Sequence, residues 1–245
     1  MLPDAAIAEN ISRIEEEILS ACLRSGRSRG EVQLMAVSKT HPAEAIAAGV
    51  AAGLRLFGEN RVQEFQQKLP ALNQLGIDVT AGDKMAVHFI GHLQSNKAAR
   101  AVEIFSSIDT VDSLKLTQRL DETAKKLDRR LPILVEIKLS EEAAKTGLGP
   151  ESHDLAELLE CLPDLGHVEM RGLMTVAPFD DNPERARSCF RRLRLLREEL
   201  ATRHPRLDFG ELSMGMSGDF EIAIEEGSTL VRIGTAIFGA RPRPA

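Results

Sequence analysis

An α/β fold of the single (β/α)8 TIM-type barrel class, with an extra N-terminal helix, is what this sequence predicts, and three observations carry the prediction. Eight short apolar runs, from 34–37 to 229–233, alternate with helix-patterned segments, the signature of consecutive parallel βαβ units. The chain has 245 residues, which matches the roughly 250 that one such barrel takes. No change in composition marks a linker, so residues 1–245 read as one domain, with 1–30 forming a helix packed on the barrel. A doubly wound open sheet is the other arrangement of the same pieces, but eight evenly spaced units favour closure.

The elements follow in order. Asp4 is placed to cap a first helix whose Ile7, Ile11, Ile14 and Ile18 share one face, and Ser25-Gly26 can end it. Strand one is 34–37; an Ala-rich helix, 43–52, is closed by Gly53. Strand two is 54–58, followed by a helix over 61–68 and a polar stretch, 70–85, containing Gly76 and Gly82, which reads as an irregular insertion. Strand three is 87–91, with Ser95 capping the next helix, and strand four is 104–108. Asp112 or Ser113 caps a helix running to 127; strand five is 133–137 and a polar loop covers 140–149. A helix over 153–162, strand six at 172–176, a helix over 183–203, strand seven at 211–214, a brief helix to 225 and strand eight at 229–233 complete the set.

Composition narrows the function. The net charge of −6 argues against nucleic acid or an anionic membrane as the main partner. The arginine run 185–203 is interleaved with Phe190, Leu193, Leu196 and Leu200, the pattern of an amphipathic helix with a wet basic face. Cys22, Cys161 and Cys189 are scattered without a CxxC pair, which fits reduced thiols. With no apolar stretch of membrane-spanning length and no cationic, apolar start of a signal peptide, a cytoplasmic location is expected. The chain contains no Tyr and no Trp, so a mechanism needing a tyrosine base is excluded.

Polar residues crowd after the apolar runs: Lys39 after strand one, Asn60 after strand two, His92 and Asn96 after strand three, Ser217 after strand seven, Gly234-Thr235 after strand eight. In a barrel these meet on the C-terminal rim, where such folds carry their chemistry, although Asn, Ser, Thr and Gly are also ordinary turn residues. Lys39 has two readings. It is a lysine that snorkels from a strand end, or a partly buried amine whose ammonium form is disfavoured, as a Schiff-base nucleophile requires. Ser217, in a Gly-flanked turn, and Gly234-Thr235 suit a phosphate, which barrels of this kind hold after strands seven and eight. Arg232, inside the apolar run 230–233, needs either a carboxylate partner or a ligand. His88 and His92 lack the neighbouring Glu of a zinc helix, and no metal site is assigned. A neutral lysine and a phosphate site on one rim point to pyridoxal 5′-phosphate, with an aldolase-type lysine acting on a sugar phosphate as the competing reading.

The segments AVSKT (36–40), FGEN (57–60), HFIGHLQSNK (88–97), GLM (172–174), LSMGMSGD (212–219) and VRIGTAIFG (231–239) together resemble the pyridoxal phosphate homeostasis protein family. The resemblance covers nearly the whole chain from Val32 to Gly239. It implies a barrel like the N-terminal domain of alanine racemase, with the cofactor on a Schiff base at Lys39. It further implies Ser217, Gly234 and Thr235 at the phosphate, Arg232 at the pyridine nitrogen and Asn60 near the ring. Arg61 stands where members often carry an aromatic, and Ile137-Lys138 where they often carry Val-Asn, while Lys145 and Gly147 match the loop that follows. The expected function is a carrier that holds and hands over the cofactor, maintaining vitamin B6 and amino-acid and keto-acid balance, with PLP-dependent apo-enzymes as recipients and no catalytic residue assigned. The alternative is a PLP-dependent racemase or decarboxylase. The racemases that the family resembles take their second base, a tyrosine, from a further β-domain, for which this chain has neither the tyrosine nor the residues. His88, His92 and Lys138 remain as substitutes, and nothing in the sequence singles one out.

Overall fold

Eight strands close in sequence order in the computed structural model, which describes residues 2–79, 85–140, 146–178, 180 and 182–240. They are β1 (Gln33–Val37), β2 (Leu56–Glu59), β3 (Ala86–Phe89), β4 (Ser107–Val111), β5 (Leu131–Glu136), β6 (Val168–Met174), β7 (Glu211–Met216) and β8 (Leu230–Ile233). Each is parallel to the next, and β8 returns to β1 with Ala36 opposite Ile233. The helices are α1 (Asp4–Arg24), α2 (Ala43–Ala51), α3 (Val62–Gln74), α4 (Ala98–Ile104), α5 (Leu114–Lys126), α6 (His153–Cys161), α7 (Pro183–Arg203), α8 (Phe220–Glu225) and α9 (Thr235–Phe238). The (β/α)8 barrel is therefore formed as expected. Among the described residues no helix is long and apolar enough to cross a membrane.

Strand alternation sorts the side chains into two layers. Outward positions such as Ala36, Phe57, Val87, Phe89 and Ile233 pack under the helices in one apolar core. There Phe105 stacks on Phe65 at 5.1 Å and meets the edge of Phe89 at 5.2 Å between centroids. The inward layer is mixed: Met35, Leu134, Met174 and Leu230 share it with His88, Asp109, Ser213 and Arg232, all enclosed by the strands. Gly58 makes room for this layer, since a Cβ there would lie 2.7 Å from the Met35 sulfur. The α1 helix buries its isoleucine stripe on the barrel's flank against α2, α8 and α9.

Several sequence expectations shift. Asp4 lies inside the first turn of α1, which starts after Pro3 with no side-chain cap. The segment 70–74, expected in the insertion, belongs to α3. Phe65 and Leu72 continue its buried stripe, and this packing carries the helix through Pro70; Gly82 lies outside the described residues. Ser95 opens a 3-10 turn rather than capping α4. Strand four falls at 107–111, not 104–108, because the polar Asp109 and Thr110 are fully strand-like, Asp109 facing inward against His88. Strand six starts four residues before its expected position, and the charges Glu169 and Arg171 in its first half hide it. Ser113, of the two candidates, caps α5.

Candidate functional site

The inward phase of β1, Met35 and Val37, reaches Lys39 at the C-terminal mouth, while the opposite phase sends Ser38 outward under the helices. The residues on either side of Lys39 are tied down. The Ser38 amide continues the ladder to the Gly58 carbonyl at 3.1 Å, and its hydroxyl donates to Glu59 Oε1 at 2.7 Å. Thr40, in the left-handed region at φ 66°, donates its amide to Glu64. Lys68 of α3 then joins the pieces: its Nζ is 2.7 Å from Glu59 Oε1, 2.9 Å from Glu64 Oε1 and 3.1 Å from the Ser38 carbonyl. Burial pushes the Glu59 carboxyl above its ordinary value, against the opposing pull of Lys68 and Ser38. For Glu64 burial acts upward too, but hydrogen bonds from Lys68 and the Thr40 amide hold it below its ordinary value. Lys39 itself is half-buried, as an amine that must both condense and be reached requires.

Sequence reading missed this support. Its signal was nonetheless present: Lys68 sits three residues after Phe65 and four before Leu72, on the buried stripe of α3, where a lysine needs an anionic partner.

Asn60, next to Lys39 across the β1–β2 register, carries a buried Oδ1 with no hydrogen-bond partner among the described residues. A Cβ on Gly91 would lie 2.2 Å from the Asn60 carbonyl oxygen, so glycine lets the ends of β2 and β3 touch here. On the other flank, the Ser217 hydroxyl accepts the Ala236 amide at 3.4 Å, joining the β7 and β8 loops. A Cβ on Gly234 would sit 3.2 Å from the Val37 carbonyl, so this edge approaches the strand that leads to Lys39. Thr235 opens α9 and is exposed. Ser217, Gly234, Thr235, Lys39 and Asn60 thus share one arc of the rim, while Asn96 is exposed in the 3-10 turn before α4.

Arg232 is 4% exposed and lies inward below that arc. It donates to the Ser213 hydroxyl at 2.6 Å and the Thr175 carbonyl at 2.8 Å. Among the described residues no carboxylate lies within ion-pair distance of it, which removes the structural ion pair from its two readings. Burial pulls its guanidinium down from its ordinary value, opposed by the charges of Asp109, Asp219 and Glu136. His88 bonds Asp109 at 2.9 Å, whereas His92 lies 3.3 Å from Asp112, so the two histidines serve different carboxylates. Lys145 lies outside the described residues; Gly147 adopts φ 110° with its Cβ position 2.9 Å from the Lys138 amide nitrogen.

An orphaned amide oxygen, a side-chain-free glycine edge beside a serine hydroxyl, a half-buried amine and a buried guanidinium fit a phosphorylated heteroaromatic aldehyde. The comparisons agree in kind. The profile of the family "Alanine racemase, N-terminal domain" matches residues 5–242. A relative named "Pyridoxal phosphate homeostasis protein" in Aquifex aeolicus is 42% identical over 233 residues, covering 95% of this chain and 97% of its own. The protein of the same name in Escherichia coli strain K12 is 40% identical over 235 residues, covering 96% and 97%. PipY of Synechococcus elongatus, solved with PLP bound, matches with TM-score 0.81 and 40% identity over 95% of this chain and 100% of its own. Alanine racemase of Clostridium difficile, at 16% identity and TM-score 0.71 over 97% of this chain and 57% of its own, shares the fold.

Proposed function

This chain belongs to the pyridoxal phosphate homeostasis protein family, and from that premise we propose that it binds pyridoxal 5′-phosphate at the barrel mouth, with Lys39 attaching the aldehyde as a Schiff base. Its role is to hold the cofactor and release it to PLP-dependent apo-enzymes, maintaining vitamin B6 and amino-acid and keto-acid balance without robust turnover. The observation that carries this reading is the phase of β1. The inward phase of Met35 and Val37 extends to Lys39, and Ser38 and Thr40, on either side of it, are fixed to Glu59 and Glu64.

The other residues take roles that follow from their places. Ser217 offers its hydroxyl, and Gly234 and Thr235 their backbone amides, to the phosphate; Gly234 admits close approach because it carries no side chain. Asn60 directs its orphaned Oδ1 to the ring edge. Arg232, held by Ser213 and Thr175, would meet the pyridine nitrogen. When bound, the cofactor supplies an electron sink; a guanidinium at the ring nitrogen keeps that nitrogen unprotonated and weakens the sink, which suits storage better than turnover.

The test is spectroscopic and chemical. Purified protein loaded with the cofactor is expected to show imine absorbance, and borohydride reduction followed by peptide mapping to place the label on Lys39. Lys39→Ala is expected to lose both signals. Absence of the absorbance, or a label on another lysine, overturns the assignment. A panel of L-amino acids, followed for enantiomer inversion and CO2 release, addresses catalysis, and sustained turnover lost in Lys39→Ala would make the protein an enzyme. Transfer is read by mixing loaded protein with a PLP-dependent apo-enzyme and following that enzyme's recovery, which the carrier reading requires.

A further inference from the structure

Across the barrel from Lys39, four strands away, β5 carries a second constellation that the cofactor reading leaves unused. Glu136 and Lys138 sit two residues apart on the inward phase of β5 and its extension. A bridge between Ile137 and Leu148, with the Lys138 amide donating to the Leu148 carbonyl at 2.9 Å, keeps that extension strand-like. Both residues line a cavity of about 280 Å³ at the rim, just below the roughly 300–1,000 Å³ of drug-sized ligand sites. Among the described residues its wall also includes His92, Thr146 and Ser140 and the apolar Leu139 and Val176.

We infer that this cavity binds a small α-amino acid as its zwitterion, with the ammonium at Glu136 and the carboxylate at Lys138. The inference goes beyond cofactor binding, since it concerns a different part of the rim and needs no cofactor.

Three observations support it. Glu136 is 7% exposed, with one oxygen bonded to the Thr146 hydroxyl at 3.0 Å; among the described residues no cation pairs with it. Burial raises its carboxyl above the ordinary value, while Arg232 and His92 draw it down only from a distance. An arriving ammonium supplies the missing partner. Secondly, no carboxylate among the described residues pairs with Lys138, whose side chain is half-buried at the same cavity. Thirdly, the Ser140 side chain is part of the cavity wall, and among the described residues its buried hydroxyl oxygen has no hydrogen-bond partner.

The spacing suits this ligand class. Strand residues i and i+2 stand roughly 6.6 Å apart, a span that an amino acid's neighbouring ammonium and carboxylate bridge with one charge-assisted hydrogen bond at each end. A dicarboxylate or a diamine would put like charges against Glu136 or Lys138. The apolar Val176 and the stem of Leu139 favour an aliphatic side chain.

The experiment is a calorimetric titration of the full-length protein, free of cofactor, with L-leucine. Saturable binding is expected, retained in Lys39→Ala and weakened at least tenfold in Lys138→Met and in Glu136→Gln. Isoamylamine, which lacks the carboxylate, and 4-methyl-2-oxopentanoate, which lacks the ammonium, are each expected to bind at least tenfold more weakly than leucine. Should Glu136→Gln fail to fold, Lys138→Met and Lys138→Glu carry the test, Lys138 being partly exposed. No saturable binding to the wild type, binding lost in Lys39→Ala, or binding indifferent to both Lys138 variants overturns the inference. Imine absorbance of the same preparations, recorded after loading, reports the cofactor site separately, so either reading can fail while the other stands.

Discussion

Two ion-pair networks in this barrel use the same residue types to opposite ends. Beneath Lys39, Lys68 is shared by Glu59, Glu64 and the Ser38 carbonyl, with Glu59 fully enclosed and Lys68 9% exposed. On the outer flank, Arg187, Arg191 and Arg194 of α7 gather around Glu226, while Arg24 of α1 and Arg187 reach Glu225. The flank has several cations per carboxylate, and they are 27–56% exposed; the mouth has one cation for two carboxylates and is the drier of the two. A redundant, solvated network can lose a member with little effect, whereas a dry network with a single cation cannot. The difference teaches where the protein fixes geometry: the drier cluster anchors Ser38 and Thr40 on either side of Lys39, and the wet one joins helices.

The largest expected effect comes from breaking the dry network on its cation. Lys68→Met leaves Glu59 buried without its cation, which costs about 3–5 kcal/mol in comparable buried pairs. Urea unfolding is the measurement. Pairing the change with Glu59→Gln removes the stranded charge and is expected to restore most of the stability. Cofactor loading should nevertheless stay impaired, because the Ser38 and Thr40 anchors lose their ionic frame. A double variant that loads normally would show that the network stabilises the fold without directing Lys39.

Next in size is Gly91→Ala. The added Cβ would meet the Asn60 carbonyl at 2.2 Å, so the β2 and β3 ends must part; overpacking of this kind typically costs about 1–3 kcal/mol. A loss of cofactor affinity larger than the loss of stability is expected, measured by titrating imine absorbance against an unfolding curve, since Asn60 moves with the backbone.

These two positions also show what the sequence could and could not disclose. The barrel was legible because eight apolar runs keep their spacing, and the placing of Lys39, Asn60, Ser217 and Gly234 on one rim was legible because strand ends in a barrel share it. Glu59 lies in the FGEN segment, but its pairing with Lys68 depends on how α3 crosses β2 and leaves no trace in the local sequence. Strand four was misplaced because alternation was read from apolarity, and Asp109 is an inward polar residue satisfied by His88 and Ser107. Arg232 kept two readings until its neighbours, Ser213 and Thr175, proved neutral. Contacts between elements distant in sequence carry no local signature, and these were the parts that stayed hidden.

On the wet flank the effects are smaller and their pH dependence is distinctive. Glu226 is buried, which acts upward, yet hydrogen bonds from Arg191 and Arg187 hold its carboxyl below the ordinary value. A carboxyl depressed in the folded state contributes stability that is present above its unfolded value, about 4.3, and is lost as pH falls through the folded one. Glu59, raised by burial, has the opposite sign: its contribution is present below that unfolded value and declines as pH rises. Glu226→Gln is therefore expected to flatten the acid-side loss of stability in urea curves collected below about pH 4.3. Glu59→Gln should not flatten it.

The smallest expected change, and the sharpest form of the comparison, is Arg191→Ala. Its side chain is 56% exposed, and Arg187 and Arg194 remain beside Glu226 when it is gone. Pairs of this kind contribute about 0.2–1 kcal/mol, and salt screens them further, with a Debye length near 3 Å at 1 M. The loss seen at low ionic strength should shrink toward zero in 1 M NaCl, and cofactor loading at Lys39 should be unchanged at either salt concentration. The Lys68→Met loss, by contrast, should persist at high salt, because no counter-ion reaches a charge enclosed between β2 and α3. If salt erased both losses equally, the mouth cluster would be wetter than its burial implies, and the distinction between a network that anchors the neighbours of a lysine and one that joins helices would disappear.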